Sequence, residues 1–203
     1  MIAIIDYDMG NIKSVCNALD NIGLSWTLTR DPDTIKAAKG IILPGVGAFE
    51  DAIQSLRDHD LIPLLLEEIK KNKPFLGICL GMQLLYEKSY ENGEFEGLGV
   101  LKGEVVPFQT TLKVPHMGWN ALELNEDFRD HAILKKTEDQ DYVYFVHSYY
   151  VRGLKEETIA YCAYDQPFSA LVGRENLLGM QFHPEKSGDT GLRLLQSFKE
   201  MIR

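Results

Sequence analysis

Lys73-Pro-Phe-Leu-Gly-Ile-Cys-Leu-Gly-Met-Gln83 is the stretch around which the rest of the chain is organised. An apolar run long enough for a buried strand leads into Gly77-Ile-Cys79-Leu-Gly81, and helix-forming residues follow at once. Such a pattern suits a nucleophile elbow, a strand-to-helix turn so tight that glycines are needed beside the residue at its tip. Cys79 then stands at the tip, near the N-terminus of the following helix, where the helix dipole favours a thiolate. The backbone N–H of Leu80 is left free to receive an oxyanion. A lone cysteine among apolar residues is also commonly a small buried hydrophobe, so this segment alone leaves both readings open.

The chain before the elbow alternates strand and helix. Ile2 to Tyr7 suits a central parallel strand, followed by a turn at Asp8-Met-Gly10-Asn11 in which Asn11 is a helix N-cap candidate. Ile12, Val15, Cys16, Leu19 and Ile22 recur at helical spacing, which points Cys16 into the core, and Gly23 closes the helix. A strand over 24–30, a short helical piece after Asp31-Pro32-Asp33 and a buried strand over 40–43 follow. That last strand runs into Pro44-Gly-Val-Gly-Ala-Phe49, at the place where open α/β sheets bind ligands. Its glycines suit either a plain tight turn or a platform of backbone N–H groups, and it lacks the Lys-Ser/Thr of a phosphate-binding P-loop. Helices are expected over 50–58 and 61–72, and the elbow helix continues to Tyr86 with Gln83 one turn after Cys79. Gln83 is either a substrate-facing amide or simply a good helix former.

Beyond Gly99 the chain turns β-rich, with strands expected near 100–108, 114–124, 142–151, 157–164, 168–174 and 177–183, and a final helix capped by Asp189. Residues 87–97 suit a polar surface loop. The whole implies an α/β fold whose mainly parallel sheet has an antiparallel extension in the C-terminal half. No linker or repeat divides the 203 residues, so 1–203 is expected to be a single domain.

Composition narrows the function. A net charge of −9 without a Lys/Arg cluster argues against nucleic acid. Three scattered cysteines, Cys16, Cys79 and Cys162, suit neither a disulfide framework nor a zinc site and fit a reducing cytoplasm; no metal or other cofactor is expected. No stretch approaches a membrane span or a signal peptide. Among five histidines, His59 and His131 lie in polar surroundings and are expected at the surface. His183 ends the apolar stretch Leu177-Leu-Gly-Met-Gln-Phe182 and is followed by Pro184 and Glu185. Residues two apart in an extended segment face the same way, so Glu185 can hold one imidazole nitrogen and leave the other for a nucleophile. The plain alternative is a strand-end His beside a solvated Glu. With an elbow cysteine in the same chain, a nucleophile–base–orienter set of Cys79, His183 and Glu185 is favoured.

Gly-Ile-Cys79-Leu-Gly-Met-Gln and His183-Pro-Glu185 together resemble the class I glutamine amidotransferase family over essentially the whole chain. That resemblance implies a three-layer α/β/α, flavodoxin-like fold and hydrolysis of glutamine to glutamate and ammonia through a Cys79 thioester. Pro44-Gly-Val-Gly-Ala-Phe49, Pro115-His-Met-Gly-Trp-Asn120, Tyr144-Phe-Val-His-Ser-Tyr149 and His183-Pro-Glu-Lys-Ser187 resemble one branch, the glutaminase subunits of imidazole glycerol phosphate synthases. Carried over residue by residue, the family pattern implies an oxyanion hole from Val46, Gly47 and Leu80. It also implies glutamine contacts at Gly47, Gln83, Glu91, Ser148 and Tyr149, Glu91 alternatively being a solvated loop carboxylate. A surface of Asn11, His116, Met117, Trp119, Asn120 and Lys186 is implied toward a (βα)8-barrel cyclase, the heterodimer partner that accepts the ammonia in histidine biosynthesis. Trp119 as a core residue is the alternative. Asp8 departs from the pattern, which has Gly there more often. Glutaminases of other pathways, such as those of pyridoxal phosphate or anthranilate synthesis, and a stand-alone cysteine hydrolase are the competing readings.

Overall fold

The computed structural model describes residues 1–202. Its strands are β1 (Ile2–Ile5), β2 (Trp26–Thr29), β3 (Ile41–Leu43), β4 (Phe75–Ile78), β5 (Lys88–Ser89), β6 (Phe95–Glu96), β7 (Gly103–Pro107), β8 (His116–Ala121), β9 (Glu123–Leu124), β10 (Tyr142–His147), β11 (Tyr149–Gly153), β12 (Thr158–Tyr164), β13 (Gln166–Arg174) and β14 (Leu177–Met180). The α-helices are α1 (Ile12–Asn21), α2 (Pro32–Ala37), α3 (Phe49–Asp58), α4 (Leu61–Lys70), α5 (Leu80–Gln83) and α6 (Gly188–Met201).

Eight strands form the central sheet in the order β2-β1-β3-β4-β14-β13-β12-β9. The run from β2 to β14 is parallel, and β13, β12 and β9 continue it antiparallel, as the change of character after Gly99 implies. β1 and β3 are apolar throughout because both of their faces are covered, whereas the edge strand β2 carries Thr27 and Thr29 and is only partly buried. Ile2 and Ile4 pack with Val15 and Leu19 of α1 and Phe198 of α6, whereas Ala3 and Ile5 pack with Ile53 of α3 and Leu65 of α4. Successive side chains of a strand point to opposite faces, so one sheet supports two cores and three layers result. Burying each such Ile, Leu or Phe contributes about 1.5–3 kcal/mol.

The β-rich half departs from the expected single extension. β10 pairs with β8 in a separate ribbon, and β11, β7, β5 and β6 form a four-stranded sheet. The expected strand over 142–151 is therefore broken at Ser148, and its halves join different sheets. The expected surface loop 87–97 contributes β5 and β6, because Lys88 and Ser89 pair with β7. Ser187, not Asp189, precedes the first turn of α6, and its hydroxyl donates instead to the His183 carbonyl. Asn11 takes the N-cap position of α1 without a capping bond from its side chain, which accepts from the Ser14 hydroxyl.

Candidate active site

The elbow forms where the glycines predict it. Cys79 lies at φ 54°, ψ −111°, between the end of β4 and the start of α5. A left-handed φ is costly for a residue with a Cβ and persists only where its surroundings enforce it. Here they do: the Cys79 N–H donates to Met180 O across the ladder at 2.7 Å, and its carbonyl accepts from Met82 and Gln83. The glycines are required by contact. A Cβ on Gly77 would lie 2.6 Å from Gly81 O, and one on Gly45 would lie 2.6 Å from the Tyr7 hydroxyl. Among the described residues, Leu80 N–H has no backbone partner, as expected at the first position of a helix.

Cys79 opens on a cleft of 270 Å³ shared by Val46, Gly47, Leu80, Gln83, Glu91, Ser148, Tyr149 and His183. The expected catalytic, oxyanion and glutamine-contact residues are thus brought together, except Glu185, which lies behind His183. His183 Nδ1 and Glu185 Oε1 are 2.8 Å apart with both side chains buried, while His183 Nε2 is buried without a partner. Burial opposes the imidazolium, but the Cys79 sulfur and the Glu185 carboxylate outweigh it and hold His183 up to about 10. The turn that carries them is pinned at two points, by His183 N–H donating to Tyr144 O and by Tyr144 N–H donating to the Ser187 hydroxyl.

Glu91 is not a solvated loop carboxylate. It accepts from the Phe49 N–H at 2.9 Å, at the start of α3, and half-burial raises its carboxyl above the usual range. Gln83 faces the cleft, and its amide nitrogen donates to Tyr149 O at 3.1 Å and to Gln181 Oε1 at 3.0 Å. Gln181 was missed in the sequence. It is fully buried and donates from Nε2 to Cys79 Sγ at 3.8 Å. The signal available was its spacing of two residues from His183, which points both side chains to one side. His147, also missed, lines the cleft and donates from Nδ1 to Tyr149 O, so its Nε2 accepts from His116 Nδ1 at 3.0 Å. Burial holds both imidazoles neutral, His147 down to about 3 and His116 down to about 4.

The expected partner surface divides. Met117 and Trp119 are 60% and 54% exposed, so Trp119 is not a core residue. Its ring meets Tyr144 edge-on at 6.0 Å, and the exposed Lys186 ammonium lies 6.0 Å from the Tyr144 ring. His116 is corrected: it is buried, stacked on Phe145 and Tyr164, so its side chain presents nothing to solvent. Asn120 commits its amide to Ala163 O and its oxygen to the Ala121 N–H. Asn11 is half-exposed at the start of α1. Asp8 adopts φ 65°, the region that favours the glycine expected there, and Arg30, then His59, hold its carboxyl down to about 2. His59 is accordingly half-buried in that cluster, and His131 is half-buried with Nδ1 accepting from the Ile133 N–H, so neither is a free surface side chain.

A thiol at an elbow, an imidazole held by a carboxylate and the free Leu80 N–H next in the chain can together transfer an acyl group through a covalent thioester. The chain belongs to the class I glutamine amidotransferase family, whose model matches residues 3–201. It is 50% identical to the imidazole glycerol phosphate synthase subunit HisH of Oceanobacillus iheyensis, and 46% identical to that of Carboxydothermus hydrogenoformans, each alignment covering all of both chains. Among solved structures, a glutamine amidotransferase superposes with a TM-score of 0.77 at 20% identity over 100% of this chain and 99% of that one. PurLQS from Thermotoga maritima gives 0.77 at 19% identity over 100% and 98%. No helix among the described residues is long and apolar enough to cross a membrane, and no group of three or more His, Cys, Asp or Glu there could hold a metal ion.

Proposed function

We infer that this chain, acting as one domain in the cytoplasm, is the glutaminase subunit of an imidazole glycerol phosphate synthase. It hydrolyses glutamine to glutamate and ammonia and passes the ammonia to a (βα)8-barrel cyclase in a heterodimer. The observation that carries this reading is identity of about half over the full length of subunits bearing that name.

Cys79 Sγ, as thiolate, attacks the side-chain carboxamide carbon of glutamine. Leu80 N–H, with an N–H of the Val46-Gly47 segment, receives the developing oxyanion, and losing one such donor typically costs on the order of a hundredfold in rate. His183 Nε2 protonates the departing ammonia, then takes a proton from water as it attacks the thioester, while Glu185 fixes the ring through Nδ1. Gln83, Glu91, Ser148 and Tyr149 hold the rest of glutamine. Each step uses side chains and backbone of this chain, so no cofactor is invoked. The exposed Met117, Trp119 and Lys186, with Asn11, face the cyclase.

Glutamate release is the test, measured with this chain alone, with the cyclase, and with the cyclase and its ribonucleotide substrate. The chain alone is expected to turn over slowly and the full mixture much faster, with no activity in Cys79→Ala. Unchanged turnover on adding the cyclase and its substrate would assign the chain to another pathway, and activity surviving in Cys79→Ala would remove the mechanism.

A further inference from the structure

We propose that Gln181 is a further catalytic residue: its side-chain amide donates a hydrogen bond to the Cys79 sulfur and stabilises the thiolate that attacks glutamine. The proposal rests on Cys79 being the nucleophile. Gln181 follows β14, whose Met180 carbonyl accepts the Cys79 N–H, so main chain and side chain of adjacent residues both hold the cysteine.

The direction of the amide is fixed by its neighbours. Tyr149 O is a main-chain carbonyl and can only accept, so the group that Gln83 turns toward it must be the NH2. That same NH2 reaches the Gln181 side chain at 3.0 Å, so Gln181 must present its oxygen there and its own NH2 to Cys79 Sγ. His147, donating to Tyr149 O as well, anchors the acceptor end of the chain. A flipped Gln181 would set two NH2 groups against each other and turn its carbonyl oxygen on a sulfur that, as thiolate, can only accept, which a fully buried site does not tolerate.

Chemistry makes the donor selective. A hydrogen bond to an ionised acceptor is roughly twice as strong as one to a neutral acceptor, so the amide favours thiolate over thiol. Once the sulfur is acylated it accepts poorly, and the bond weakens as the thioester forms. Burial without such help acts the other way: the Cys162 thiol is pushed up to about 12.

The test is the pH dependence of Cys79 alkylation by iodoacetamide in the full-length chain, followed on the Cys79 peptide by mass spectrometry, alongside glutamate release by the assembled complex. Gln181→Met keeps length and removes the donor; Gln181→Glu keeps shape and sets an acceptor against the sulfur. The alkylation midpoint is expected to rise by about one pH unit in Gln181→Met, a tenfold loss of thiolate at neutral pH, and further in Gln181→Glu. Turnover at saturating glutamine should fall about tenfold or more in each, with far-UV circular dichroism unchanged. A residue that merely filled space would leave the midpoint where it was. If alkylation abolishes hydrolysis but a folded variant keeps the wild-type midpoint, the role of Gln181 is overturned. If alkylated Cys79 still supports hydrolysis, the nucleophile itself is misassigned.

Discussion

Gly81 touches the end of the neighbouring strand so closely that a Cβ on it would lie 1.9 Å from the Leu43 carbonyl oxygen. The contact joins the elbow to the strand that delivers the Pro44–Phe49 loop, so the nucleophile and one side of the oxyanion site share a backbone seam. Gly81→Ala must force that seam apart. The expected loss is about 3 kcal/mol or more, with turnover abolished in whatever fraction folds, because overpacking against rigid backbone has no side chain to yield. Gly99→Ala is the control: its φ is 64° but nothing lies within 4 Å of the added Cβ. It should cost only about 1 kcal/mol, the penalty of the left-handed conformation. Urea denaturation of both variants measures the difference, and equal losses would show that the Leu43 contact is not what demands glycine.

Cys79 and Glu185 together raise the proton affinity of His183, and this ties stability to pH. Burial alone would depress His183, yet with the Cys79 sulfur and the Glu185 carboxylate beside it the ring is held up to about 10. A group whose folded pKa exceeds its unfolded value, about 6.5 for histidine, binds more protons folded than unfolded between the two. Its stabilisation is complete below about pH 6.5 and is lost as pH rises toward 10. Glu185→Gln removes one of the supports, so the alkaline loss should shrink and, still beginning near pH 6.5, be complete at lower pH. Glutamine turnover should fall on the order of a hundredfold as the ring loses its orienter. Urea midpoints across this window give the first result and glutamate release the second. A variant with the wild-type alkaline profile would show that the Nδ1 contact does not govern the ring.

Cys79, His183 and Glu185 could be read from the sequence because each is announced by local chemistry: glycines two residues either side, and a His-Pro-Glu at the end of an apolar run. The inner parallel strands β1, β3 and β4 were equally plain, since burial on both faces leaves no polar position. What stayed hidden depends on pairing between distant segments. Nothing near Ser148 says that its flanking strands join different sheets, and nothing in 87–97 says that β7 will recruit Lys88 and Ser89. Gln181 and His147 were passed over for the same reason, because an amide or imidazole in a strand acquires a role only through what it meets across the fold. His59 looked solvated beside Asp58 and Asp60, but its partners are Asp8 and Arg30, brought in by β1 and β2.

Trp119 and Asn120 are adjacent in β8 and differ in what they have left to offer. Trp119 is 54% exposed and braced by Tyr144, so a large apolar ring stands ready at low further cost in side-chain freedom. Buried tryptophans commonly anchor interfaces, and truncating such an anchor costs about 2 kcal/mol or more of binding, a weakening of about thirtyfold. Trp119→Ala should therefore raise the Kd for the cyclase at least that far, while shifting the stability of the isolated chain by no more than about 0.5 kcal/mol. Asn120 has already committed its amide to Ala163 O, at 2.8 Å, and its oxygen to the Ala121 N–H. Asn120→Ala should reverse the pattern, losing about 1 kcal/mol of stability with much the smaller effect on Kd. Titration calorimetry against the cyclase, paired with urea denaturation of each free variant, separates the two outcomes. A Trp119→Ala chain that binds the cyclase as tightly as the wild type would place the partner on another face.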